Sequence, residues 1–107
     1  MDFSLIRQNV KSLKLQELRT DCDNYFEAVL VKEELDSLYN RLKESLGEPV
    51  FPSKGRLDFR MEQAVKGYGG ILPGQTLYYR SRGENTVFAM IWPWQDGKHT
   101  TLKIIQK

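Results

Sequence analysis

Cys22 and His99 are the one cysteine and the one histidine of the chain, and they are the residues best suited to nucleophilic chemistry. An imidazole activates a thiol only when the fold brings the two within hydrogen-bond reach. No local motif announces such a pair. Cys22 falls on an apolar stripe with Leu15, Leu18 and Tyr25, where it reads as a small hydrophobe. His99 follows Asp96-Gly97 and reads as a solvated imidazole. Glu27 is the only carboxylate set in an apolar run, which suits acid–base work when the group is desolvated. Pairing with a lysine or facing water are its plainer roles. One Cys and one His cannot furnish a zinc site of the N/S kind, and no calcium-loop spacing occurs. No metal and no cofactor are expected.

Lys66-Gly67-Tyr68-Gly69-Gly70 invites comparison with phosphate loops. It lacks the Gly-Lys-Ser/Thr ending of one such loop and the third glycine of the dinucleotide fingerprint. It opens like the Lys-Gly-Tyr-Gly of an RNA-recognition strand, but Gly70 stands where Phe is needed and Pro73 where an aromatic is wanted. The pentapeptide therefore reads as a flexible turn that lets two elements pack closely.

Aromatic and basic residues gather near the C-terminus. Tyr78, Tyr79, Arg80 and Arg82 share one segment, and Trp92 and Trp94 flank Pro93. Aromatics beside arginines on a sheet stack single-stranded bases in many modules. Filling a small core is the commoner use of such residues. Trp94, next to a proline and a polar turn, is expected to be partly exposed. The candidate binding residues are Tyr68, Tyr79, Arg80, Arg82, Trp92 and Trp94.

The elements that must position these residues centre on Thr86–Trp92. This run is β-branched and aromatic, without internal Gly or Pro. Alternation sends Val87, Ala89 and Ile91 to one face and Phe88, Met90 and Trp92 to the other. Both faces are apolar, so both must be covered. The strand is expected to pair through Arg82–Asn85 with Gln75–Ser81, and through Asp96-Gly97 with Thr100–Ile105. Asp-Gly favours a hairpin because both residues tolerate positive φ. Lys103, on the mixed face of Thr100–Ile105, suits an edge strand. Pairing should falter at Pro93.

Upstream, Phe3, Ile6, Val10 and Leu13 form one helical stripe, with Asp2 or Ser4 available as a cap. The phase then slips to Leu15, Leu18, Cys22 and Tyr25, implying a bend near Lys14 or a second short helix. Tyr25–Val31 reads as a strand. Leu35, Leu38, Leu42 and Leu46 mark a helix closed by Gly47 and Pro49. Residues 50–56 read as a loop. Residues 57–68 fit a strand or a helix; the good helix formers Met61-Glu62-Gln63-Ala64 and a Glu62–Lys66 pair favour the helix. The sum is an α+β fold: an antiparallel sheet of about four strands, made of a C-terminal three-stranded meander and a strand near 25–31, packed by two or three helices.

The 107 residues suffice for one domain, 1–107, with an unstapled core. A single cysteine argues against a disulfide scaffold. No run reaches membrane-spanning length and the first ten residues lack signal-peptide order, so the default compartment is cytoplasmic. Residues 1–53 carry seven basic against ten acidic side chains, and residues 54–107 nine against four. That asymmetry can mark an anion-binding surface, although a mixed surface is the plainer cause.

These readings point to a non-enzymatic interaction or binding module of unspecified ligand. It would associate with a protein partner, or with itself as a homodimer, through whichever apolar sheet face the helices leave open. The alternative is single-stranded nucleic-acid binding by Tyr79, Arg80, Arg82 and Trp94. An enzyme on a small anionic substrate near Gly67–Gly74 has no catalytic constellation behind it.

Overall fold

A computed structural model describes residues 3–52 and 57–107. The chain runs α1 (Phe3–Lys11), β1 (Leu15–Asp21), β2 (Tyr25–Val31), a short 3-10 turn (Lys32–Glu34), α2 (Leu35–Leu46), α3 (Phe59–Lys66), β3 (Thr76–Arg82), β4 (Asn85–Pro93) and β5 (His99–Gln106). The strands form one five-stranded sheet in the order β1-β2-β5-β4-β3, antiparallel throughout. The fold is α+β, with one strand more than the sequence suggested.

The extra strand is β1, where the stripe Leu15–Leu18–Cys22 suggested a helix. The register explains the misreading. Leu15 lies opposite Leu30 and Leu18 opposite Ala28, with an irregularity between Leu15 and Glu17. A bulge inserts one residue, so two leucines three apart face the same side. Three is also a helical spacing. Cys22 is not on an apolar face: it is exposed in the β1–β2 turn, its N–H bonded to the carbonyl of Tyr25.

The first sheet face carries α1 and α2. Phe3, Ile6 and Val10 of α1 and Leu38, Leu42 and Leu46 of α2 pack on Phe26, Ala28, Leu30, Val87, Ala89, Ile91, Leu102 and Ile104. Fully burying a leucine such as Leu38 or Leu42 contributes roughly 1.5–3 kcal/mol. Arg41 of α2 donates to the Asn9 carbonyl at 2.6 Å and to its Oδ1 at 2.7 Å, tying the end of α1 to α2. Ser4 lies inside α1 rather than before it, so it is not the cap; Asp2 lies outside the described residues. Gly47, at φ 84°, ends α2 with its N–H on the Lys43 carbonyl.

The second face is covered by α3 and the chain after it. Ala64 and Val65 pack on Leu77, Phe88, Met90 and Ile105. Phe88 and Met90 are fully buried, as are Ala89 and Ile91 on the other side. The two-sided burial of β4 is thus achieved within one chain. The helical reading of 57–68 holds in its central part, with Asp58 as the cap: its Oδ1 accepts from the Met61 N–H at 2.8 Å. The loop expected over 50–56 lies partly outside the described residues; Phe51 forms an isolated bridge with Leu77 along the β3 edge.

Two further expectations are corrected. The edges are β1 and β3, whereas β5 sits at the centre between β2 and β4, so Lys103 does not mark an edge. It spans the apolar second face by lying along a neighbouring aromatic ring. Asp96 does not take positive φ; Gly97 alone does, at 69°. Asp96 instead accepts from the N–H groups of Lys98 and His99 at 2.8 and 3.0 Å, which closes a longer turn. Pro93 ends β4, opposite Thr100.

Candidate functional site

The second face positions most of the residues singled out from the sequence. Tyr68 follows α3 and stacks on Tyr25 of β2, centroids 5.7 Å apart, while its edge meets Phe88 at 5.8 Å. Tyr79 stacks on the opposite side of the same cluster, 5.9 Å from Phe88. Trp92 lies beneath the turn after Tyr68. Gly69 is at φ 104°, and a β-carbon there would stand 2.6 Å from Cη2 of Trp92. The glycine turn is therefore a close-packing device, and no phosphate cradle is needed to explain it.

Lysine and arginine lie against the same aromatics. Lys103 Nζ sits 3.7 Å from the Trp92 ring centroid and donates to the Tyr68 carbonyl at 3.3 Å. Burial pulls its pKa down, opposed by the charge of Glu27. The Trp92 Nε1 is buried and has no hydrogen-bond partner among the described residues. Trp94 donates its Nε1–H to Thr101 Oγ1 at 2.8 Å, leans on His99 at 5.0 Å and lies under the Arg19 guanidinium at 5.7 Å. It is 37% exposed, in line with its expected partial exposure. Arg19 in turn pairs with Glu17 and Glu27, whose hydrogen bonds raise its pKa. Glu27 also accepts from the Tyr25 hydroxyl. Its partner is an arginine, not a lysine.

Arg80 and Arg82 are elsewhere. Their register partners Val87 and Asn85 put them on the first face, where Arg80 reaches the Ser45 carbonyl of α2 at 3.4 Å and Arg82 is exposed. Tyr68, Tyr79, Trp92 and Trp94 thus share the second face, and the two arginines do not join them. Nor do Cys22 and His99 meet. Cys22 adjoins the Tyr25 end of β2 and His99 pairs with Val31 at the other end, six residues and about 20 Å away at the rise of a strand.

A hollow of about 700 Å³ lies against α3 and the turn after it, at the margin of the second-face core. Phe51, Leu57, Val65 and Ile71 give it apolar walls, and Glu62 and Lys66 of α3 also line it. Phe59, one turn before the lining residue Glu62 on α3, is 74% exposed, and Leu72, next in the chain to the lining residue Ile71, is 60% exposed. Neither was singled out from the sequence, although Phe59 falls off the stripe Leu57–Met61–Ala64–Val65–Tyr68 and so had to face outward. Arg19 was missed because its segment was read as a helix. Among the described residues, no group of three or more His, Cys, Asp or Glu could hold a metal ion, and no helix is long and apolar enough to cross a membrane. No family model, curated protein or solved structure matches the chain.

Proposed function

We propose that the chain is a non-enzymatic interaction module that binds a protein partner through the outer surface of α3 and the turn after it. The supporting observation is an apolar hollow lined by Glu62 and Ile71, which stand one helical turn after Phe59 and directly before Leu72, two strongly exposed large apolar residues. A large apolar side chain left in water gains roughly 1.5–3 kcal/mol on burial, and clustered ones mark contact surfaces. The sheet face expected to make this contact is covered by α3, so the role passes to the outside of that covering layer.

The test uses an apolar fluorescent probe, anilinonaphthalene sulfonate, at a dilute chain concentration. Its emission is expected to rise with the native chain and to fall for the Phe59→Ser/Leu72→Ser variant at unchanged far-ultraviolet circular dichroism. No enhancement with the native chain overturns the reading.

Single-stranded nucleic-acid binding is the second reading. The contact of Arg19 with Trp94 supports it by placing a guanidinium, itself paired with Glu17 and Glu27, beside a half-open ring on the same face. The position of Arg80 and Arg82 on the other face removes two of the four residues it first rested on. It requires oligonucleotide binding at low salt that weakens steeply as salt is added.

A further inference from the structure

We infer that the partner is a second copy of this chain, paired through α3 antiparallel about a two-fold axis. This rests on the reading of the α3 surface as a contact surface and names what covers it. A two-fold contact presents the same patch from both sides, so the patch must complement itself. This one does so in shape. Phe59 is exposed one helical turn before Glu62, which lines an apolar hollow of about 700 Å³, so α3 of each copy offers a projection and a cavity within one turn of each other.

It also complements itself in charge. Glu62 and Lys66 lie one turn apart on α3, both exposed, and neither carries an ion pair among the described residues. The i,i+4 pair that their spacing suggests is not formed. Turned about a two-fold axis between them, Glu62 of each copy faces Lys66 of the other, which makes two cross-pairs. The same register carries the apolar contact. Phe59 lies about 4.5 Å beyond Glu62 along the helix axis. In the antiparallel copy that distance leads past Lys66 toward Gly69 and Gly70, which line the hollow. Gly70 has the room: a β-carbon added there meets nothing within 4 Å. A patch built on one eight-residue helix falls at the small end of specific interfaces, so the pairing is weak and concentration-dependent.

The experiment is light scattering of the full chain from about 10 μM to about 1 mM, spanning the affinities of small interfaces. The weight-average mass is expected to rise from 12.5 kDa toward twice that value. Glu62→Lys and Lys66→Glu each place like charges opposite in both cross-pairs and should weaken association about tenfold. The double exchange E62K/K66E restores opposite charges and should regain it. Phe59→Ser should abolish it. All three positions are exposed, so circular dichroism should stay native. A mass fixed at 12.5 kDa throughout overturns the inference, as does a dimer indifferent to these changes or one that the double exchange fails to rescue. A strict monomer that still binds the apolar probe removes the second copy and leaves the contact surface standing.

Discussion

Gly69 stands directly over the indole of Trp92, so close that a β-carbon would lie 2.6 Å from Cη2. Two independent constraints meet at this residue. Its φ of 104° disfavours any L side chain, and the ring below leaves no room for one. The other occupant of that ring is Lys103, whose Nζ lies 3.7 Å from its centroid.

Gly69→Ala is therefore expected to destabilise the chain by about 2–4 kcal/mol, combining backbone strain with overpacking. Gly70→Ala is the control. Its φ is 73°, but open space surrounds the added carbon, so only the backbone term of about 1–2 kcal/mol applies. Urea unfolding of both variants checks the difference. Equal losses would mean that Trp92 is not what holds Gly69 in place.

Burial on both sides of β4 makes a second prediction. Phe88 faces α3 and Ile91 faces α1 and α2, and both are fully buried. Phe88→Ala should cost about 3–5 kcal/mol and Ile91→Ala about 2–5 kcal/mol by equilibrium unfolding. A small loss at Phe88 alone would show that α3 does not close the second face in solution.

How much of the fold is legible in the residues alone differs by element, and the differences have causes. Thr86–Trp92 was legible because period-two alternation with two apolar faces has one structural meaning. The leucines of α2 were legible because Gly47 and Pro49 bounded them. β1 was not, since its bulge gives Leu15 and Leu18 a spacing that two periods share. Lys103 misled because a charge on a strand suggests an edge, whereas a long stem over Trp92 lets a lysine sit at the centre of a sheet. For the candidate site, sequence position could say that Tyr79 and Arg80 are neighbours, but alternation sends neighbours to opposite faces. Phe59 and Leu72 carry no motif; exposure alone marks them, and exposure is a property of the packed chain.

The turn between β4 and β5 gives a pH prediction. Asp96 accepts from His99 Nδ1 at 2.6 Å and from the N–H groups of Lys98 and His99. The imidazole hydrogen bond first, then these backbone donors, hold its pKa down to about 2. A depressed folded pKa stabilises the folded state above the unfolded value near 4, and that contribution disappears as pH falls through about 2. Carbon-13 titration of the side-chain carboxyl should give a midpoint near 2, and His99→Ala should move it upward. A midpoint near 4 in the native chain would show that the turn is not closed in this way.

Tyr25 governs the opposite end of the pH scale. Its ring is stacked on Tyr68 and its hydroxyl donates to Glu27, itself held by Arg19. Burial first, and the Glu27 hydrogen bond second, push its pKa well above the ordinary tyrosine value of 10.0. The folded state then keeps a proton that the unfolded chain has already released. Stability from this group is complete below the unfolded pKa of about 10 and is lost as pH climbs toward the folded pKa. Burial raises Tyr39 and Tyr78 in the same direction, so the native chain should lose stability steadily in this alkaline window. Tyr25→Phe removes one ionising group and should flatten the decline without abolishing it, since the other two remain. Urea unfolding of both chains at a series of alkaline pH values reads the slope directly. If the two slopes coincide, the Tyr25 hydroxyl is free in solution, and Glu27 is held by Arg19 alone.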